Sequence, residues 1–472
     1  MMASKISQEQ IQMLRYEVKQ PNSVFYPGSK EYEKSLERWS AIGRQRAGVA
    51  IRPKTVEDLA STVRFAMDNQ LDLAVKGGGH STDTSSSSDG GILIDLGSMR
   101  QVSVNPIDST VTAQGGALWK DVNDTAAMLD LAVVGGTASQ TGVGGVSMRG
   151  GYGYLTPKYG LVLDNLLSAK VVTADGQVLS ASANEHPDLF WAIRGAGANV
   201  GVAAELRFQA HTQPNMVWCG TMTFMPDKVN EVVEALNGAL LHPHGNAAAQ
   251  CVFALSPDSK APVVTTVLFF NGPEEEGRIH FAGLADLECI SMNMEMRPYA
   301  KANTLLDDAV PPGGRKKIIG VKVAPPMRPD FASQLLMQIG RKLAAVPELA
   351  NSCLEIDYFD LSKVYGVSIT ETAFPSRTMT LNGALILQWT DLSKDEDYIA
   401  WGVKIQNMCE NELRQAGFKP DQLVSTFFGY TDGDNMTPED MFGVNADALL
   451  KVKRQYDPDN VFNKLNPLGH FG

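Results

Sequence analysis

Cysteine is scarce in this 472-residue chain: five residues, none before Cys219. Cys219, Cys251, Cys289, Cys353 and Cys409 are odd in number, widely spaced and without a C-x-x-C pair, which argues against a disulfide framework and for free thiols in a reducing compartment. Histidine is also sparse, seven in all, with no H-E-x-x-H or other compact ligand spacing. His242-Pro-His244 reads as a loop, so no metal site is expected. No run of ~18 apolar residues occurs, and Met1 to Gln20 is polar with no apolar h-region, so a cytoplasmic protein without a membrane partner is expected. Positive charge is short as well: 41 Lys and Arg against 53 Asp and Glu give a net charge of −12. That leaves no concentrated basic face for nucleic acid or an anionic membrane. The remainder, 44% hydrophobic and 20% charged, suits a soluble globular chain with two or three domains and no visible repeat.

Glycine is where the texture departs from the ordinary. Lys76-Gly77-Gly78-Gly79-His80-Ser81 sets three glycines before a lone histidine. Successive glycines can take positive φ and turn their N–H groups toward an anion with no side chain in the way. The run reads either as a cradle for a phosphate-bearing cofactor with an imidazole at its mouth or as a surface turn with a stray histidine. A second glycine-rich block runs from Gly135 to Gly153.

Around these loops the pattern predicts mixed α+β structure. Thr55, with Asp58 three residues on, opens a helix whose apolar face is Val56, Leu59, Val63 and Met67. Leu71 to Val75 is a short strand delivering the first loop, and Ile92 to Leu96 and Gln101 to Val104 are further strands. Leu118, Val122, Thr125 and Leu129 repeat at helical spacing. Leu167 to Thr173 and Gln177 to Ser180 flank Asp175-Gly176 as a hairpin. A short helix starts at Pro187 and stops at Gly195. From about Gln213 strands such as Val263 to Phe270 and Ala384 to Trp389 alternate with amphipathic helices, which marks a separate domain. Near the end Asn445 is expected to cap a helix carrying Leu449, Val452 and Tyr456.

Some motifs point nowhere particular. Gly195-Ala196-Gly197 follows a helix and has no acidic residue about 20 positions on, so it is no dinucleotide-binding turn. Phe190 and Trp191 read as core. Tyr152 and Tyr154, flanked by glycines, either pack beside a bound ring or merely pack. Tyr430 is a general base or a buried tyrosine with a satisfied hydroxyl. Asp357, Tyr358 and Glu371 are weaker candidates in the second domain.

Taken together, several segments carry more weight: Gly142-Val143-Gly144-Gly145, Gly150-Gly151-Tyr152-Gly153-Tyr154-Leu155, Tyr159-Gly160-Leu161 followed by Asp164-Asn165, Val171-Val172-Thr173-Ala174-Asp175-Gly176, Asp188-Leu189-Phe190-Trp191, Arg194-Gly195-Ala196-Gly197-Ala198-Asn199-Val200-Gly201, and Tyr456-Asp457-Pro458-Asp459-Asn460-Val461-Phe462. In this order and spacing the set resembles the berberine bridge enzyme-like branch of the vanillyl-alcohol oxidase (p-cresol methylhydroxylase) flavoprotein family, from about Pro27 to the C-terminus. The resemblance implies an α+β fold with an FAD-binding domain of the p-cresol methylhydroxylase type in two parts, residues 1–212 and 425–472. Between them, at 213–424, it implies an inserted α/β substrate domain, an antiparallel sheet flanked by helices.

It further implies FAD in an extended form, its pyrophosphate on the loop Lys76 to Ser81, and a covalent bond from His80 to the 8α-methyl of the isoalloxazine. Carried over residue by residue, FAD contacts are expected from Lys76, Gly77, Gly78, Gly79, His80 and Ser81, and from Gly136, Thr137, Thr141, Gly142, Val143, Gly144, Gly145, Gly150, Gly151, Tyr152 and Gly153. Asn199, Gly201, Val202, Asn460 and Phe462 complete the set. The position matching Val143 is expected beside the reactive face of the flavin, where a small residue admits oxygen. The implied activity is oxidation of a small organic molecule at an alcohol, amine or related C–H centre, in secondary metabolism. Hydride passes to flavin N5, and O2 reoxidises the flavin to give hydrogen peroxide. The alternatives are an FAD dehydrogenase with another acceptor and a flavin-binding cyclase or isomerase. Substrate and O2 are the expected partners of a monomer or homodimer.

Three departures from the family pattern matter. Where many members carry a cysteine that makes a second flavin bond, this chain has Ala138, so attachment through His80 alone is expected. Ser376 stands where a histidine is usual. The tyrosine-rich C-terminal segment reads Phe427-Phe428-Gly429-Tyr430, so a tyrosine that some relatives use as base is phenylalanine here and the base does not simply carry over. Tyr430 is the expected catalytic candidate and Tyr358 the next.

Overall fold

Short apolar strands, glycine turns and capped helices assemble, in a computed structural model, into three main sheets and a two-stranded ribbon. Residues 4–419, 436–465 and 468 are described. The first sheet runs Val24–Phe25, Val49–Ile51, Ile92–Asp95, Leu73–Lys76, the last three strands parallel. Parallel strands are covered on both faces, which is why Val49–Ile51 and Ile92–Asp95, the latter apolar up to its final Asp95, show no alternation and are buried throughout. Helix Val56–Asp68 buries Leu59, Val63 and Phe65, and its start is held by the Asp58 N–H donating to Thr55 Oγ1 at 3.2 Å. Strand Leu73–Lys76 runs directly into the first glycine loop.

The second sheet is antiparallel, in the order Val102–Asn105, Thr110–Gln114, Val202–Gln209, Leu166–Val172, Val178–Ser182. Its last hairpin turns at Asp175-Gly176, where Gly176 has φ +74° and Thr173 Oγ1 donates to Asp175 Oδ1 at 2.7 Å. Helix Pro187–Ala196 kinks at Gly195, whose φ of +136° and closeness to the Phe374 backbone leave no room for a side chain.

The third sheet has seven antiparallel strands: Ser291–Pro298, Met216–Phe224, Pro262–Phe270, Ala247–Leu255, Cys353–Phe359, Leu381–Trp389, Arg315–Val323. Helices Val229–Leu241, Pro329–Ala345 and Asp395–Gln415 cover one face and close a core of Leu236, Leu335, Ile339, Ile356 and Leu385. The other face turns toward the second sheet, with which Val217, Cys219, Phe269 and Phe359 share a core containing Leu206 and Phe208.

The chain then returns. Helix Ala446–Tyr456 packs on Pro187–Ala196, the Tyr456 hydroxyl donating to Asp188 Oδ1 at 2.9 Å, and Phe462 enters the core of the first sheet. Asn445 precedes this helix, but its side chain does not cap it: Nδ2 donates to the carbonyls of Ile369 at 2.9 Å and Thr372 at 3.2 Å, stitching the helix to the loop that leads into strand Leu381–Trp389. The expected boundary at 212 coincides with the end of the two-residue strand His211–Thr212, and the one at 424 lies outside the described residues. Among the described residues no helix is long and apolar enough to cross a membrane.

Candidate active site

A cavity of about 320 Å³ lies where the glycine loops meet the open face of the seven-stranded sheet. Gly77, Gly78, Gly79, His80 and Ser81 line it from the first loop, and Gly136, Thr137, Thr141, Gly142, Gly144, Gly145, Gly151 and Tyr152 from the second. Gly201, Val202 and, from the C-terminal tail, Phe462 and Lys464 join them, while Ile318, Glu355, Ala384 and Ile386 face in from the sheet. The loops touch as glycines for a steric reason: a Cβ on Gly78 would stand 2.5 Å from the Gly142 nitrogen. The bend at Gly79, φ +68°, brings His80 to the cavity.

Six expected contact residues do not line this cavity. Lys76 is buried behind the loop, its ammonium donating to the carbonyls of Ser35 at 2.6 Å and Glu37 at 3.2 Å and pairing with Asp95 at 3.5 Å. It braces the cradle from the back. Val143, between two lining glycines, turns into the protein core and is fully buried there, so the expected oxygen position is not on the cavity wall. Gly150 accepts from the Leu163 N–H at 3.1 Å, and Gly153 lies against the Gly135 carbonyl where the chain crosses itself. Asn199 Nδ2 donates to the Leu465 carbonyl at 2.9 Å, and Asn460, at φ +54°, turns the tail. Both position lining residues instead of lining the cavity themselves.

The catalytic expectation needs a larger correction. Strand Cys353–Phe359 reads CLEIDYF, and alternation sends Leu354, Ile356 and Tyr358 into the core under the helices. The Tyr358 hydroxyl there lies 3.3 Å from Met327 Sδ, on the far side of the sheet from the cavity. Glu355 and Asp357 take the opposite face. Gln250, on the neighbouring strand, donates from Nε2 to Glu355 Oε1 and, at 3.0 Å, to Asp357 Oδ1. Its Oε1 accepts from the Tyr154 hydroxyl at 3.4 Å, which fixes the amide's orientation. Burial raises both carboxyls above their ordinary range, and the like charge of Asp357 raises Glu355 further. Two carboxyls buried this close together resist carrying two negative charges at once. Glu371 is exposed in a loop, and Tyr430 lies outside the described residues. Arg377 is paired with Asp164 at 2.7 Å and Lys170 with Glu205 at 2.9 Å, so neither is free to serve a base.

His80 Nε2 is enclosed and has no hydrogen-bond partner among the described residues. Burial, helped by the Lys316 charge, pulls its pKa down to about 4, so the imidazole is neutral. Ala138 lines the same cavity and offers no thiol. Among the described residues no cluster of side chains could hold a metal ion.

A glycine-rich cradle of backbone and an enclosed, unpartnered imidazole suit a dinucleotide cofactor, and the comparisons agree. Residues 47–182 match the family described as FAD binding domain, and 426–467 the one described as berberine and berberine like. The (R)-6-hydroxynicotine oxidase of Paenarthrobacter nicotinovorans is 34% identical, the match covering 93% of this chain and 94% of that protein. The chain belongs to the berberine bridge enzyme-like FAD-linked oxidoreductases. The FAD-linked oxidoreductase pgmH of Aspergillus terreus is 30% identical across 98% of this chain and 97% of its own length. Among solved structures, 6-hydroxy-D-nicotine oxidase from Arthrobacter nicotinovorans superposes with a TM-score of 0.79 at 26% identity over 94% of this chain and 97% of that one. Physcomitrella patens BBE-like 1, at 20% identity and a TM-score of 0.84 over 98% of this chain and all of that one, shares the fold.

This berberine bridge enzyme-like site also draws on residues that the sequence did not single out. Glu355 and Gln250 had a signal: ionisable and amide side chains inside otherwise apolar strands are out of place unless they face a site. Arg38, whose guanidinium donates to the carbonyls of Ser81 at 2.9 Å and Asp83 at 2.7 Å, had none.

Proposed function

We propose that this protein is an FAD-dependent oxidase that carries its flavin on a single covalent bond from His80. It takes a hydride from a carbon bearing an amine or hydroxyl group, while the Glu355 and Asp357 pair receives the proton. FAD, when bound, supplies the hydride acceptor and hands its electrons to O2, with hydrogen peroxide as product. The observation that carries the reading is Glu355 on the cavity wall, coupled through Gln250 to Asp357. A carboxyl pair that resists a second negative charge accepts a proton near neutral pH, where a lone exposed carboxylate is too weak a base. The sheet and the glycine loops enclose this pair, which excludes water around the reacting carbon. A neutral imidazole with a free lone pair suits attachment at His80, and Ala138 removes the second attachment point. The relative named for 6-hydroxynicotine favours an amine over an alcohol.

The test has two parts. Anaerobic addition of small amines and alcohols should bleach the flavin, and in air one peroxide should appear per substrate. Bleaching without peroxide would make the protein a dehydrogenase, and no bleaching by any of them would leave the flavin a non-redox role. After acid precipitation the yellow colour should remain with the protein, on the peptide containing His80.

A further inference from the structure

Trp39 lies flat against His80, the ring centres 4.2 Å apart and the planes 17° from parallel. It is tied in on every side. Its backbone N–H donates to the Gly79 carbonyl at 2.9 Å, and its carbonyl accepts from the Gly313 N–H at 3.0 Å and from the Lys316 ammonium at 3.2 Å. Its indole N–H donates to the Val310 carbonyl at 2.9 Å, and the ring packs with Ile318 and Ala384 on the cavity wall. The Lys316 ammonium stands 4.9 Å from the indole centre. His80, by contrast, ends a run of three glycines, whose backbone restrains a ring poorly. No described hydrogen bond from Nε2 fixes the ring either.

We propose that Trp39 is the positioning residue for covalent attachment of the flavin: its indole face holds the His80 imidazole at the angle that presents a ring nitrogen to the 8α carbon. This rests on the reading of His80 as the attachment point. The imidazole nitrogen forms a bond to the 8α carbon as one N–H and one C–H bond break. Two electrons and two protons stay on the flavin, and O2 then removes them as hydrogen peroxide. Lys316, close to the stacked pair, favours the uncharged imidazole that this step needs. An indole face above the ring keeps it there without competing for its nitrogen.

The experiment uses Trp39→Leu and Trp39→Phe, purified, supplied with excess FAD in air, and sampled over time for flavin that stays with acid-precipitated protein. Trp39→Leu should bind FAD but attach it about tenfold more slowly, while Trp39→Phe, which keeps a stacking face and loses only the bond to Val310, should attach within about twofold of wild type. Attachment by Trp39→Leu at the wild-type rate overturns the proposal, as does a Phe variant as slow as Leu, which would assign the effect to the hydrogen bond. If the Leu variant is insoluble, Trp39→Met takes its place with the same outcomes. Wild-type protein that releases all its colour in acid overturns the His80 reading itself and the proposal with it.

Discussion

Glu355→Gln keeps the shape of the side chain and a contact with Gln250 while removing the oxygen that accepts a proton at the cavity wall. General-base catalysis supplies ~10²–10⁴-fold. Asp357 stays behind on the same amide, so the loss falls in the lower part of that range, about 10²–10³-fold, or about 2.7–4 kcal/mol of barrier. The assay is anaerobic stopped-flow reduction of the flavin at saturating substrate, with FAD content read from absorbance and expected to be unchanged. The pH profile adds a second readout. Reduction by the wild type should speed up as pH rises through the raised pKa of the pair. In Asp357→Asn the like charge that raises Glu355 is gone, so the rise should move to lower pH. Stability has the opposite sign. A carboxyl whose folded pKa lies above its unfolded value of ~4.3 binds more protons in the native state, so its contribution is complete below that value and is lost as pH rises through the folded pKa. Wild type should therefore lose stability relative to Glu355→Gln on going from acid to neutral pH. A Glu355→Gln variant that reduces its flavin at the wild-type rate refutes the assignment, and Tyr430 becomes the base to test.

Tyr358→Phe should reduce flavin at the wild-type rate, because its hydroxyl sits against Met327 under the helices; a large loss would place the side chain at the substrate. Gly78→Ala should lose most bound FAD, measured as the ratio of flavin to protein absorbance, because the new methyl collides with the Gly142 backbone at 2.5 Å and parts the two loops. Lys453→Met removes a fully buried ammonium that donates to Asn199 O at 2.8 Å, Asp457 Oδ2 at 2.5 Å and Phe462 O at 2.8 Å. It leaves the buried Asp457 carboxylate without its counter-charge, held by the N–H groups of Val461 at 2.7 Å and Phe462 at 2.8 Å, at a cost of about 3–5 kcal/mol. A thermal melt should show a midpoint lower by roughly 3–5 °C, at about 1 °C per kcal/mol for a chain of this length, and an unchanged midpoint would mean the tail is held without this pair.

Local physics was legible along the chain. The Thr55 start, the Asp175-Gly176 turn and the glycine cradle before His80 each depend on a few neighbouring residues, and a short stretch of sequence carries all that decides them. Motif order likewise sufficed for the family and its cofactor. The failures have a common form. In CLEIDYF the alternation declares that Tyr358 and Asp357 face opposite ways, but both faces of the sheet are covered, one by helices and one by the cavity, and only packing says which is which. Val143 is flanked by two cavity-lining glycines, yet its own side chain belongs to the core, since the turn of a five-residue helix sets its direction. Asn445 has the chemistry of a cap and spends it on Ile369 and Thr372, distant carbonyls that no local pattern could announce. Trp39 meets His80 because the first loop and strand Arg315–Val323 both grip its backbone. Propensity and turn chemistry act between neighbours, whereas the choice of face and the pairing of remote side chains depend on how the sheets stack, a decision made by burying apolar surface across the whole chain.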